Sequence, residues 1–125
     1  MAHNAKAQPQ HNINLSLLRQ NFQFNNEVIH KIVGMLITDL PRRAKGMQEA
    51  YDRADWHTLF LHAHSLIPSA KYIGVDEMEN DLRGIMLLSN QKKGSREFAS
   101  LLDVVSGHLL ELTYELSVIR ENLQP

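Results

Sequence analysis

Apolar residues recur at the spacing of an α-helix from Ile13 almost to the end of the chain. The pattern is longest between residues 96 and 122, where it continues for about seven turns. No segment shows the alternation of apolar and polar residues that is typical of a half-buried β-strand. The spacing therefore predicts an all-α protein. Along residues 26–53 the predicted apolar stripe contains Val28, Ile32, Met35, Leu36 and Leu40.

Residues that begin and end helices divide this pattern into five segments. Asp55 is expected to cap the third helix, and Gly74 to end it. Asp76 with Glu79 resembles a capping box at the start of the fourth helix. The connections of two to six residues favour antiparallel neighbours, so we predict an up-down four-helix bundle with a short N-terminal helix. The predicted helices cover about residues 14–21, 26–53, 56–73, 77–90 and 96–122.

Length and composition narrow the class of protein. The chain has 125 residues, which suits one domain. Residues 1–12 are polar and lack a periodic pattern, so we predict a disordered lead or linker there and the helical bundle in 13–125. A net charge of −1 gives no indication of binding to nucleic acid or an anionic membrane. The absence of cysteine is consistent with a reducing cytoplasm, where we expect this protein.

The third helix contains a histidine beside its predicted core stripe. On a helical wheel His64 lies just outside that stripe, and four of its neighbours one turn away are apolar. An exposed imidazole ringed by apolar side chains suits a group that another protein must reach. An ordinary surface histidine at the edge of a wide core stripe explains the same pattern. The predicted stripe is Trp56, Leu59, Ala63, Leu66, Ala70 and Ile73, and the four neighbours are Phe60, Leu61, Ile67 and Pro68.

Two prolines interrupt otherwise regular helical segments. Pro41 is expected to bend the second helix at Leu40. Pro68 removes the backbone hydrogen bond to the carbonyl of His64, at a cost of about 3 kcal/mol. A cost of this size next to the histidine favours a functional position over an accidental one.

Residues 64–74, with the sequence HSLIPSAKYIG, resemble the histidine-containing phosphotransfer (HPt) motif. That motif is His, any residue, Leu, Lys, Gly, Ser, then Ser or Ala, with a Gly ten residues after the His. Ile67 and Pro68 stand in this chain where the motif has Lys and Gly. The order of predicted helices over about residues 13–122 also follows the layout of the family. The residues that match the motif in register are His64, Leu66, Ser69, Ala70 and Gly74.

The resemblance implies a phosphorelay intermediate that accepts a phosphoryl group on His64 and passes it between receiver-domain aspartates. It implies response-regulator receiver domains and a hybrid sensor histidine kinase as partners, and a monomeric phosphocarrier without an active site of its own. No cofactor is expected on this chain, because the receiver supplies the Mg²⁺. The residues expected to support His64 are Pro68, Ser69, Lys71 and Arg83, and the expected docking residues are Phe60, Leu61 and Ile67.

Three other interpretations remain open at this point. A dimerising histidine-kinase helix pair also uses a histidine near a proline, although its motif usually has an acidic residue where this chain has Ser65. An HPt-like structural adaptor without phosphotransfer is suggested by Ile67 and Pro68. A metal protein is suggested by the seven histidines. No two of them have the spacing of three or four residues that helical metal ligands need, so we predict no metal site.

Overall fold

The computed structural model describes residues 13–123 and contains five helices and no strand within that range. The all-α fold and the short N-terminal helix are as predicted. The predicted disordered lead, 1–12, lies outside the described residues, as do residues 124–125. The helices are α1 (Leu15–Asn21), α2 (Asn26–Asp52), α3 (Trp56–Ile73), α4 (Asp76–Ser89) and α5 (Arg96–Asn122). None of them is long and apolar enough to cross a membrane.

The four long helices form a closed ring around one core. α2 packs against α3 and α5, and α4 packs against the same two helices from the other side. The C-terminal end of α2 meets the N-terminal end of α5, where the Tyr51 hydroxyl donates a hydrogen bond to the Ser95 carbonyl at 3.2 Å. Fully buried side chains come from all five helices, which makes the core continuous. They include Leu18, Val33, Leu66, Leu82 and Leu109.

Both ends of α3 are set by residues that the sequence singled out. The Asp55 carboxylate accepts hydrogen bonds from the Thr58 backbone N–H at 3.2 Å and from the Thr58 hydroxyl at 2.8 Å. Gly74 ends the helix with φ +70°, a left-handed conformation that favours glycine. The Val75 N–H then donates to the Ala70 carbonyl at 3.0 Å, which completes a Schellman motif.

The predicted capping box of α4 is wrong. The N-cap of α4 is Val75, which makes no side-chain cap bond, and Asp76 is already the first helical residue. Because the Val75 N–H donates to the Ala70 carbonyl of α3 in the turn at Gly74, α4 begins one residue earlier than predicted. Glu79 is consequently free of a capping role, and its carboxylate pairs with Arg83 and Lys71 instead.

The short helix α1 covers the C-terminal end of α3. The Asn14 N–H donates to the Ile73 carbonyl at 2.8 Å, and the Asn21 side-chain amide donates to the Tyr72 carbonyl at 3.1 Å. Carbonyl groups in the last turn of a helix lack partners within that helix. α1 therefore supplies donors to the end of α3.

Both internal prolines lie inside continuous helices. α2 runs through Pro41 and α3 runs through Pro68 without a break. The bend at Leu40 stays a prediction. The side chain of Leu40 is fully buried, so the segment around Pro41 remains anchored in the core.

Candidate functional site

One side of α3 faces solvent and contains His64. The imidazole is exposed, as predicted, and so are the side chains of Leu61 and Pro68, one turn before and after it. Leu61 is 47% exposed, a large value for an aliphatic side chain. Five residues of the predicted core stripe are buried, and the sixth, Trp56, is half-buried against Phe98. The helical wheel therefore placed His64 correctly outside the core stripe of α3.

Phe60 orients the imidazole of His64. The two rings are nearly parallel, 7° apart, with centroids separated by 6.2 Å. Phe60 is half-buried, so its own position is fixed by the bundle. The histidine as a whole stays exposed. Phe60 therefore lies beside the imidazole without removing it from solvent.

Two residues predicted to belong to the site are buried in the bundle. Ile67 is only 8% exposed, so it belongs to the core and not to an exposed docking patch. α4 packs against this flank of α3, which widens the core stripe beyond the six residues assigned to it. Ser69 is 9% exposed and lies on the opposite flank, where it lines a groove that also borders α2.

Lys71 and Arg83 lie close together at the junction of α3 and α4. Both pair with the same carboxylate oxygen, Oε2 of Glu79. The Arg83 Nη2 atom is 2.8 Å and its Nε atom 3.1 Å from that oxygen, and the Lys71 Nζ atom is 4.0 Å from it. The side chains of both cations are more than half exposed. The structure thus brings together the two positive charges that the sequence suggested for the site, with a negative charge between them.

The groove between α2 and α3 extends the exposed surface beyond the predicted residues. It has a volume of about 950 Å³, and its lining includes Met35, Arg42, Ser69 and Tyr72. Met35 was predicted to lie in the core stripe of α2 but is 62% exposed. Tyr72, which is also exposed, was not singled out. Val28, another residue of the predicted stripe, is partly exposed as well.

His62, two residues before His64, has a different environment. Its Nδ1 atom lies 2.9 Å from Arg43 Nη1, which makes this ring nitrogen the acceptor. Its ring packs so closely on Gly46 that a Cβ there would lie 2.5 Å from Nε2. Burial lowers the pKa of His62, and the nearby charges of Arg43 and Arg42 lower it further. His62 is therefore a neutral part of the α2–α3 interface.

The other described histidines do not gather into a site. His57 is exposed in the first turn of α3, and His108 faces Asp81 across α4 and α5, with 3.9 Å between Nδ1 and Oδ2. Burial and the charge of Glu77 raise the pKa of Asp81. Between residues 13 and 123, no three His, Asp or Glu side chains are arranged to hold a metal ion. The absence of a metal site stays a prediction.

Comparison with known proteins identifies the family. The sequence model of the Hpt domain matches residues 31–122, about three quarters of the chain. The chain belongs to the Hpt domain family. Its fold also matches the crystal structure of the HPt domain of an Hpt sensor hybrid histidine kinase from Shewanella, with a TM-score of 0.79 and 16% identity. That match covers 94% of this chain and 100% of the Shewanella chain, and at this identity it shows the fold alone. No curated protein matches the chain.

Hpt domains are phosphocarriers of two-component phosphorelays, so family membership gives this chain a general role in signal transduction. The match begins within α2 and ends with α5, so it contains the complete α3 helix and the Lys71–Glu79–Arg83 cluster.

Proposed function

We propose that this protein accepts a phosphoryl group on His64 from the aspartate of one receiver domain and passes it to another. The exposure of His64 carries the proposal. In a chain of this family, the histidine in register with the motif remains open to solvent, while the neighbouring His62 is built into the interface with α2. The Phe60 ring lies parallel to the imidazole on one side, and Leu61 and Pro68 provide apolar surface next to it.

Phosphoryl transfer requires a nucleophile, correct positioning of the reacting groups and compensation of the phosphoryl charge. A neutral imidazole has an unprotonated ring nitrogen at neutral pH. That nitrogen attacks the phosphorus of the receiver's aspartyl phosphate, a P–N bond forms, and the P–O bond breaks with its electron pair returning to the carboxylate. The return transfer reverses these bonds on a second receiver. Catalysis of this kind depends mainly on in-line positioning and electrostatics. Both proteins contribute to these, and the receiver supplies the Mg²⁺.

Lys71 and Arg83 are the residues that we propose to compensate the phosphoryl charge. By analogy with phosphoserine, the group brings a charge of about −1.5 to −2 near neutral pH. Ile67, which replaces the motif lysine, is buried and uncharged. Lys71 and Arg83 are exposed cations on α3 and α4 at the flank of α3 next to His64, and the guanidinium of Arg83 can donate two parallel hydrogen bonds. Ser69 and Pro68 would act through the backbone and packing of α3.

The docking surface that we propose for receiver domains is centred on His64. It consists of Phe60, Leu61 and Pro68, and it extends over Tyr72 to Met35 on α2. Since a relay must release its partner after each transfer, the interface should be small and transient, under about 1,200 Å² of total buried area. We further propose that the chain works as a cytoplasmic monomer, with a hybrid sensor histidine kinase supplying the phosphoryl group to the relay.

Incubation of the protein with a phosphorylated receiver domain and Mg²⁺ tests this function. The expected result is an acid-labile, base-stable phosphate on this chain, formed without added ATP, and a return of the label to an unphosphorylated receiver. Mass spectrometry at neutral or alkaline pH should assign the phosphate to His64. Absence of label with each receiver from the same genome would contradict the proposal and favour the structural adaptor.

A further inference from the structure

We propose that Glu79 is a positioning residue that competes with the phosphoryl group on His64 for Arg83 and Lys71. In doing so it limits how stable the phosphorylated state becomes. The inference rests on the proposed role of His64. It is carried by the geometry of the three charged side chains at the junction of α3 and α4.

Glu79 is the centre of this charge cluster. One oxygen, Oε2, accepts hydrogen bonds from both Nε and Nη2 of Arg83, at 3.1 and 2.8 Å, and lies 4.0 Å from the Lys71 ammonium. Glu79 is less exposed than either partner, with 22% of its side chain accessible against 58% for Lys71 and 52% for Arg83. The carboxylate is thus the least exposed member of the cluster, and the two cations lie on its solvent side.

The register of the two helices brings Arg83 closer to the level of His64 than Lys71. α3 and α4 are antiparallel and joined by the turn at Gly74, and Lys71 on α3 meets Glu79 on α4. Arg83 lies four residues beyond Glu79, about 6 Å along α4. It is therefore level with Ile67, one turn after His64. Ile67 occupies the motif position of the lysine, so α4 supplies at this level the charge that α3 lacks.

The charge balance before and after phosphorylation makes Glu79 a competitor. Without phosphate, the two cations and Glu79 leave a net charge of +1, and Arg83 is held by two hydrogen bonds. A phosphoryl group on His64 would attract the same guanidinium, which matches phosphate geometry as well as carboxylate geometry. Arg83 must leave Glu79, at least in part, to pair with the phosphate. The uncompensated Glu79 carboxylate then adds repulsion.

Charge-neutral variants test this competition. The measured quantities are the equilibrium fraction of label on this chain, at a fixed ratio to one phosphorylated receiver, and the half-life of the isolated phosphorylated protein. Because the cluster is partly exposed, Glu79→Gln should raise the equilibrium constant for phosphorylation only about threefold. Arg83→Gln should lower it by a similar factor. In the double variant the effect of Glu79→Gln should be smaller, because Arg83 is gone and only Lys71 and the direct repulsion by Glu79 remain.

Two further variants serve as controls. Asp103→Asn removes an exposed negative charge from α5 and should leave the equilibrium unchanged, which excludes an effect of net charge alone. Glu79→Asp keeps the charge on a shorter side chain and should lie between the wild type and Glu79→Gln. Circular dichroism of each variant verifies the helical fold, and the two controls keep the test valid if one variant folds poorly.

The outcomes separate this inference from the function on which it rests. Label on His64 with no increase in Glu79→Gln, or an increase of the same size in the Arg83→Gln background, would overturn the competition and leave the proposed function intact. Absence of label on the wild-type chain would overturn both. Increased label in Glu79→Gln that depends on Arg83 supports the inference.

Discussion

Two histidines on α3, only two residues apart, have opposite environments. His62 faces α2, where Arg43 donates to its Nδ1 atom and Gly46 makes room for its ring. His64 is on the solvent side, where it contacts Phe60 of the same helix. The difference follows from helix geometry, since two residues correspond to about 200° of rotation. Because both residues are histidines, the residue type alone does not distinguish their roles. Their position relative to the neighbouring helices does.

The comparison also indicates which substitutions should alter stability and which should alter phosphotransfer. The ring of His62 is held by a polar partner and by close packing, so changes around it should alter stability. The exposed His64 contributes little to the core, so changes there should alter phosphotransfer. Four experiments can break this division between stability at His62 and phosphotransfer at His64, and the largest effect is expected at His64 itself.

His64→Gln should abolish labelling by a phosphorylated receiver, because the side-chain amide has no nucleophilic ring nitrogen. The free energy of unfolding should stay within about 0.5 kcal/mol of the wild-type value, since the residue is exposed. His62→Gln is the matched control, and His57→Gln is a second one. Both should be labelled normally. Labelling of a folded His64→Gln variant, measured by autoradiography and mass spectrometry, would show that the phosphate is carried elsewhere.

Leu61→Asp should slow phosphotransfer by about tenfold or more, because it introduces a charge into the apolar surface next to His64; tenfold corresponds to about 1.4 kcal/mol of binding energy. Val104→Asp on α5 is a closely matched control, since Val104 is 48% exposed and Leu61 is 47% exposed. The rate of transfer from a phosphorylated receiver, measured at subsaturating concentration, compares the two. Equal slowing by both variants would mean that the apolar surface of α3 is not the docking surface.

The ends of the helices were more predictable from the sequence than the contacts between helices. Asp55 and Gly74 act on backbone groups within a few residues, and the helices begin and end close to the predicted positions. The capping box at Asp76 failed because a hydrogen bond from the preceding turn decides where α4 begins. Local signals therefore predict a helix end only where no tertiary contact competes for the same groups.

Side-chain exposure was less predictable, because it depends on which helices pack on each flank. Met35 fits an apolar stripe and yet faces solvent, while Ile67 at the edge of a stripe is buried by α4. The position of His64 outside the core was predictable from the helical wheel alone. The partner of His62 was not, because Arg43 is 19 residues away on another helix.

Gly46→Ala should destabilise the protein, whereas Gly107→Ala should stabilise it. A Cβ at residue 46 would lie 2.5 Å from the His62 ring, and overpacking of this kind costs about 1–3 kcal/mol. A Cβ at residue 107 meets no atom within 4 Å, so the higher helix propensity of alanine should add up to about 1 kcal/mol. Urea denaturation measures both. Stabilisation by Gly46→Ala would show that the His62 ring can move at little cost.

The pH dependence of stability should report on His62. The pKa of His62 is lowered in the folded protein, chiefly by burial and then by Arg43, so the unfolded chain binds the proton more tightly. Stability should therefore be complete above the unfolded pKa of about 6.5 and fall as the pH drops below it. Protonation would also convert Nδ1 from an acceptor into a donor facing the Arg43 guanidinium.

This effect should be the smallest of the four, because His62 is only partly buried. Urea denaturation at pH 7.5 and at pH 5.5 measures it as the difference between the two free energies of unfolding. In His62→Gln that difference should shrink, because the side-chain amide does not titrate. Comparison of each variant with the wild type at the same pH cancels the contributions of Asp81 and the other titrating groups. An unchanged pH dependence in His62→Gln would contradict the assignment of the neutral role at the α2–α3 interface to His62.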